Sequence, residues 1–143
     1  AKELALEGPS TGRWVPEIIA ENDPNDESYF PYMNGQFVFK HAVVRFSEAI
    51  IEGLEANGLQ KEDINMLIPH QANLRIAQFI QRKFQLSDDQ VYNNIMKYGN
   101  TTAASVIIAL TEAWEKGKIN DGDLVVLAAF GSGFTWGSVV IRW

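Results

Sequence analysis

Ile64-Asn65-Met66-Leu67-Ile68-Pro69-His70-Gln71-Ala72-Asn73, running on as LRIAQFIQRKF to Phe84, is the stretch that decides the fold. Ile64–Pro69 is a short apolar run suited to a buried strand. Ile76, Phe79, Ile80 and Phe84 then recur at helical spacing, with Arg75, Gln78 and Arg82 on another face. A buried strand feeding a helix is one unit of an α/β sheet, and the pattern repeats on both sides. Upstream, Val38, Ala42, Phe46, Ala49, Ile50 and Leu54 predict a helix over Phe37–Asn57, stopped by Gly58. Downstream, Val91–Ile95 reads as a third strand. Thr101 or Thr102 then caps a helix to about Lys116, and small residues (TTAAS) fill its first turns. Leu124–Phe130 (LVVLAAF) is apolar throughout, as a strand covered on both faces must be. Gly131-Ser132-Gly133 turns the chain into a last strand, Thr135–Trp143.

The first 35 residues are less regular. Leu4–Glu7 and Val15–Ala20 are expected as short strands joined through the turn-rich Gly8–Gly12, and Glu21–Ser28 as a solvated acidic loop. The order is a strand-rich start, then α, β, α, β, α, β, β. That alternation predicts a layered α/β domain with helices on the sheet faces.

Composition agrees. The chain has 143 residues, of which 46% are apolar and 21% charged, within the range of a single globular domain and outside that of a disordered one. A net charge of −6 argues against a general nucleic-acid binder and leaves room for local basic patches. Cysteine is absent, which removes disulfides, Cys-based zinc sites and any thiol nucleophile from this chain. No apolar run is long enough for a membrane-spanning helix.

In open α/β sheets, ligands collect beyond the carboxyl ends of strands. Three such ends carry unusual residues: His70, Asn100 in Tyr98-Gly99-Asn100-Thr101-Thr102, and Gly131-Ser132-Gly133. Each has an ordinary structural reading by itself: a satisfied histidine, a turn with a cap, a hairpin. Together they offer imidazole, amide and backbone N–H donors to a developing oxyanion. Other chemistries fit less well. Gly-Ser-Gly is not the G-x-S-x-G elbow of a serine hydrolase. Two histidines, His41 and His70, without HExxH or a Cys cluster make no metal centre. Gly131, Gly133 and Gly137 lack dinucleotide-site spacing and open a strand.

The three motifs, Ile68–Ile76, Tyr98–Ser105 and Ala129–Gly137, together with Met33–Lys40, closely resemble the C-terminal half of β-ketoacyl-acyl-carrier-protein synthase III, in the thiolase superfamily. The interval from His70 to Asn100 is 100 − 70 = 30 residues. The resemblance implies residues 1–143 as the second half of a five-layer α/β/α/β/α architecture, one βαβαβαββ-type unit, with a Cys-bearing first half outside this chain. It implies an acyltransferase that condenses a CoA-bound acyl primer, such as acetyl-CoA, with malonyl-acyl-carrier protein to begin fatty-acid synthesis. His70 and Asn100 match the His and Asn of a Cys-His-Asn triad, and the Ser132 backbone N–H is placed at the acyl oxyanion.

Gln71, Ala72, Asn73, Leu74 and Arg75, with Lys40, are expected to contact acyl-carrier protein. Arg82 and Lys83 extend that cationic face. Gly35, Phe39, Ala72 and Asn73 are expected along the CoA/phosphopantetheine tunnel. The same resemblance implies a cytoplasmic homodimer with no permanently bound cofactor, no metal, and no nucleic-acid or membrane partner. CoA and phosphopantetheine thioesters enter as substrates. Without the Cys, this chain alone is expected to be inactive. Two further readings stay open: a non-catalytic carrier-protein-binding module, and a related acyltransferase of secondary metabolism.

Overall fold

A computed structural model of the chain describes Leu4–Ala5 and residues 32–143. Strand β1 (Leu4–Ala5) pairs antiparallel with β2 (Tyr32–Met33). The rest of the expected Leu4–Glu7 strand, the Val15–Ala20 strand, and the loops over 8–12 and 21–28 lie outside the described residues.

Helix α1 (Gly35–Glu55) opens on Asn34, whose Oδ1 accepts from the Phe37 N–H at 3.2 Å. All six of the predicted apolar positions are buried, joined by Val43 and Ser47. Burying Val38, Val43, Phe46, Ile50 and Leu54 contributes roughly 1.5–3 kcal/mol for each. The cap adds only about 1 kcal/mol, so packing decides this helix. Its C-terminal end has the paired bonds of a Schellman motif, Leu59 N–H to Leu54 C=O at 2.9 Å and Gly58 N–H to Glu55 C=O at 3.0 Å. Gly58 sits at φ +66°, the left-handed conformation that the motif requires. On the sheet side, a Cβ at Gly53 would come within 2.5 Å of Ser138 Oγ, so glycine there lets α1 lie directly on the last strand.

Strand β3 (Met66–Pro69) runs parallel to β4 (Leu124–Gly131), in register Met66↔Val125 through Pro69↔Ala128. Strand β5 (Thr135–Arg142) returns antiparallel, from Gly131↔Thr135 to Leu124↔Arg142, giving the order β3-β4-β5. Successive side chains of β4 serve two cores. Leu124, Val126, Ala128 and Phe130 pack with α1 and with α2 (Leu74–Phe84). Val125 packs on the other face with Met66, Ile68, Ala109, Ala113 and Ile119. The fold is therefore a helix–sheet–helix sandwich, as the continuous apolar run predicts.

Three expectations need correction. Val91–Ile95 is not a strand. Val91 makes one isolated parallel bridge to Leu67, and Ile95 begins the single-turn helix α3 (Ile95–Tyr98). The amides of Asn94 and Ile95, which a strand would have paired along the sheet, bond to the Gln71 side chain instead. Helix α4 (Ala104–Glu115) has Ala103 at its N-cap with no side-chain cap, and Thr102 lies at φ +53°. Phe79 is 36% exposed and meets Phe39 edge-on at 6.3 Å, while Ala77 takes the buried place on α2.

Candidate functional site

The site gathers at the carboxyl ends of β3 and β4. His70 follows Pro69 directly, and its backbone N–H donates to Ala128 C=O at 2.8 Å, continuing the β3–β4 ladder one residue beyond the strand. The sheet register thus places the histidine. Asn100 stands between α3 and α4, just after Gly99 at φ +69°. Its Oδ1 accepts from the Thr102 N–H at 2.9 Å, which fixes the amide plane and leaves the NH2 group as donor. Ser132 sits in the β4–β5 hairpin, where its C=O accepts from Thr135 Oγ at 2.9 Å. The ordinary readings of Asn100 as turn chemistry and of Gly-Ser-Gly as a hairpin are both real, and both coexist with a shared cavity.

That cavity is a cleft of about 860 Å³ with His70, Asn100 and Ser132 on its wall. Gly35, Phe39, Ala72 and Asn73, the expected tunnel residues, line it too. Lys40, Gln71, Leu74 and Arg75 do not. Lys40 and Arg75 are exposed on α1 and α2. Asn73 also caps α2, its Oδ1 accepting from the Arg75 N–H at 2.9 Å.

Gln71 is the residue whose expected place the structure corrects. It is only 3% exposed, and its side chain is fully engaged inside the protein. Its Nε2 donates to Pro69 C=O at 2.7 Å and to Tyr92 C=O at 3.4 Å. Its Oε1 accepts from the N–H groups of Asn94 (3.0 Å) and Ile95 (3.1 Å). With no donor or acceptor left, this side chain is a brace between two loops and not a surface contact.

His70 is half-buried, and burial lowers its pKa from the usual value, which keeps the imidazole neutral at pH 7. Its Nδ1 lies 2.6 Å from Ser105 Oγ on α4. Behind the site, Asn94 Nδ2 donates to Glu112 Oε2 at 2.8 Å, and Lys116 and Lys97 reach Glu112 Oε1 at 2.8 and 3.0 Å. Ser105, Asn94 and Glu112 were not readable as site residues. The only trace in the sequence is Ser105 at the end of the small-residue stretch TTAAS; no pattern marks Asn94 or Glu112. Among the described residues no group of three His, Cys, Asp or Glu could hold a metal ion, and no helix is long and apolar enough to cross a membrane.

The Glu112 contacts make a pH prediction. Hydrogen bonds from Lys116, then Asn94 and Lys97, hold its carboxyl at about 2 against an ordinary 4.5. Between those values the unfolded chain takes up a proton that the folded chain refuses, so stability falls as pH falls through this window. Glu112→Gln is expected to destabilise the chain above pH 4.5, with the gap to wild type shrinking toward pH 2 in urea titrations. A pH-independent gap would contradict the assignment.

A parallel-edged sheet between helices, with a His and a Gly-Ser-Gly hairpin at its strand ends and an Asn on the adjoining helix–helix loop, defines a thiolase-like α/β domain. Residues 54–143 match the family described as 3-oxoacyl-[acyl-carrier-protein (ACP)] synthase III C terminal. The chain is 55% identical over 112 residues to beta-ketoacyl-[acyl-carrier-protein] synthase III of Caldanaerobacter subterraneus subsp. tengcongensis, covering 78% of this chain and 34% of the relative. It is 46% identical over 118 residues to the Listeria innocua protein of that name, 82% of this chain and 38% of the relative. Among solved structures, the Thermus thermophilus synthase III superposes with a TM-score of 0.83 at 40% identity, over 100% of this chain and 42% of that one. The Aquifex aeolicus enzyme gives 0.79 at 43% identity, over 82% and 38%. The chain belongs to the family of 3-oxoacyl-ACP synthase III C-terminal domains. It spans between about a third and two fifths of the length of the relatives it matches.

Proposed function

We propose that this chain is the part of a decarboxylating condensing acyltransferase that stabilises the enolate, the nucleophilic Cys being carried by a thiolase-like half outside these residues. The observation that carries the reading is that His70, Asn100, Gly131 and Ser132 line one cleft. The acyl primer arrives as a CoA thioester and passes to the Cys sulfur, releasing CoA thiol. Malonyl-carrier protein then loses CO2, and the electrons of the broken C–C bond become an enolate on the thioester oxygen. A neutral imidazole N–H and the Asn100 amide are suited to receive that charge, because neither carries a charge of its own and both are fixed before the reaction. The enolate carbon attacks the acyl-Cys carbonyl. Its oxyanion is held by the Ser132 N–H, and collapse expels the thiolate. The chemistry uses CoA and phosphopantetheine thioesters as substrates and needs no resident cofactor. Gly35, Phe39, Ala72 and Asn73 line their path.

The carrier protein is acidic and the chain averages −6, so docking needs a local cationic face. Arg75 and Lys40, exposed on α2 and α1, supply it, with Arg82 and Lys83 further along α2. The parent is a cytoplasmic homodimer in this reading. The test is to assay the full-length parent for condensation of acyl-CoA with malonyl-carrier protein. Carrier-protein binding without decarboxylation would favour the binding-module alternative. Condensation by the 143-residue chain alone would overturn the assignment of the nucleophile to another half. In the active parent, Arg75→Glu is expected to raise the carrier-protein KM by about tenfold or more, the effect of replacing one rim cation with an anion, with the acyl-CoA KM unchanged. An unchanged carrier-protein KM would remove Arg75 from the docking face.

A further inference from the structure

Ser105 is 2% exposed, on the first turn of α4, and its hydroxyl oxygen has two neighbours among the described residues. The Gln71 backbone N–H lies 3.1 Å away and His70 Nδ1 lies 2.6 Å away. A backbone N–H can only donate, so Oγ accepts from Gln71. The hydroxyl proton then needs an acceptor, and the one within bonding distance is the Nδ1 lone pair. The opposite arrangement, Nδ1–H donating to Oγ, would leave the buried hydroxyl proton with no acceptor.

We infer that Ser105 is a positioning residue that donates to His70 Nδ1 and so fixes the neutral tautomer carrying its proton on Nε2. Two anchors hold the imidazole: its backbone through the β4 ladder and its ring through α4. Asn100 lies on the loop that leads into α4, so one helix start sets both side-chain donors of the cleft. Since Nδ1 is occupied, Nε2 is the nitrogen left for chemistry in the cleft, and there it serves as a donor. Burial of His70 favours the uncharged ring in which this tautomer choice matters. The tautomer assignment stands on the hydrogen-bond geometry alone, and its catalytic consequence rests on the enolate-stabilising role proposed above.

The chain contains only two histidines, so a long-range proton–nitrogen NMR spectrum of the 143-residue protein reads the tautomer directly, with a His41→Asn variant assigning the signals. His70 is expected to show a pyridine-like Nδ1 and a pyrrole-like Nε2. The reverse pattern, or the tautomer mixture of a free imidazole, overturns the assignment. In the full-length parent, Ser105→Ala is expected to lower the condensation kcat by about 10- to 100-fold, as loss of a partner that orients a histidine does, at unchanged KM. Ser105→Thr, which retains the hydroxyl, is expected to recover most of the loss. Full activity in Ser105→Ala, or equal loss in both variants, counts against positioning through the hydroxyl. An Nε2–H tautomer in a parent whose His70→Ala variant decarboxylates normally would sink the proposed function while leaving the Ser105 assignment standing.

Discussion

Changing His70 or Asn100 to Ala in a full-length parent is expected to slow decarboxylation of the malonyl thioester by about 10²–10³-fold each, the usual cost of one preorganised oxyanion donor. Acylation of the Cys by acyl-CoA should stay close to wild type. The asymmetry follows from where charge develops. In the proposed mechanism, acyl transfer to the sulfur places the oxyanion against the Ser132 N–H, which neither substitution touches. In the proposed decarboxylation, a full negative charge moves onto an oxygen that the two side chains would share. Because both serve that one oxygen, the double variant should lose less than the product of the single losses. Rapid-quench measurement of acyl-enzyme formation, beside release of labelled CO2, separates the two steps. Equal loss in both steps would contradict the division of roles.

Gln71→Leu is expected to be among the most destabilising single changes in the chain. It keeps the side-chain volume and removes four hydrogen bonds made by a residue only 3% exposed. Pro69 C=O loses its donor, and the Asn94 and Ile95 amides lose their acceptor. Each buried group left unpaired costs about 1–3 kcal/mol, so a total loss of roughly 3 kcal/mol or more is expected. That is a large share of the 5–15 kcal/mol by which domains are usually stable. The urea midpoint should fall by about 1 M or more at unchanged slope. Were Gln71 a carrier-protein contact, the variant would instead fold normally and show a raised carrier-protein KM. A stability within about 0.5 kcal/mol of wild type, the range of an ordinary surface change, would refute the bracing role.

The elements that dominate the core were legible because their signals are periodic and local. Val38 to Leu54 mark α1, Ile64–Pro69 mark the β3 region, and LVVLAAF requires a strand covered on two faces, as the separate cores on either side of β4 bear out. His70 and Ser132 were legible as strand-end residues, whereas Asn100 reaches the same cleft from the loop between α3 and α4 and not from a strand end. What escaped was the set of bonds between positions far apart in the chain. Gln71 reaches Asn94 across 23 residues and His70 meets Ser105 across 35, and no spacing rule announces either pair. The same bonds explain the false strand at Val91–Ile95. Its apolar ends match a strand, but two of its amides, those of Asn94 and Ile95, are taken by the Gln71 side chain. Thr102 failed as a cap for a related reason: the Asn100 side chain holds its amide, and the helix begins two residues later.

The ladder bond from His70 N–H to Ala128 C=O has a practical side for enzyme redesign. Because the histidine inherits its backbone place from the sheet, the chain segment that sets it is short, running from Pro69 through the cleft-lining Ala72 and Asn73, with Ser105 holding the ring from α4. On the proposed docking face, exchanging exposed side chains such as Arg75 and Arg82 on α2 is expected to alter carrier preference without moving His70. In the proposed function, partner recognition and bond-making chemistry are therefore adjacent in sequence yet mechanically separate modules.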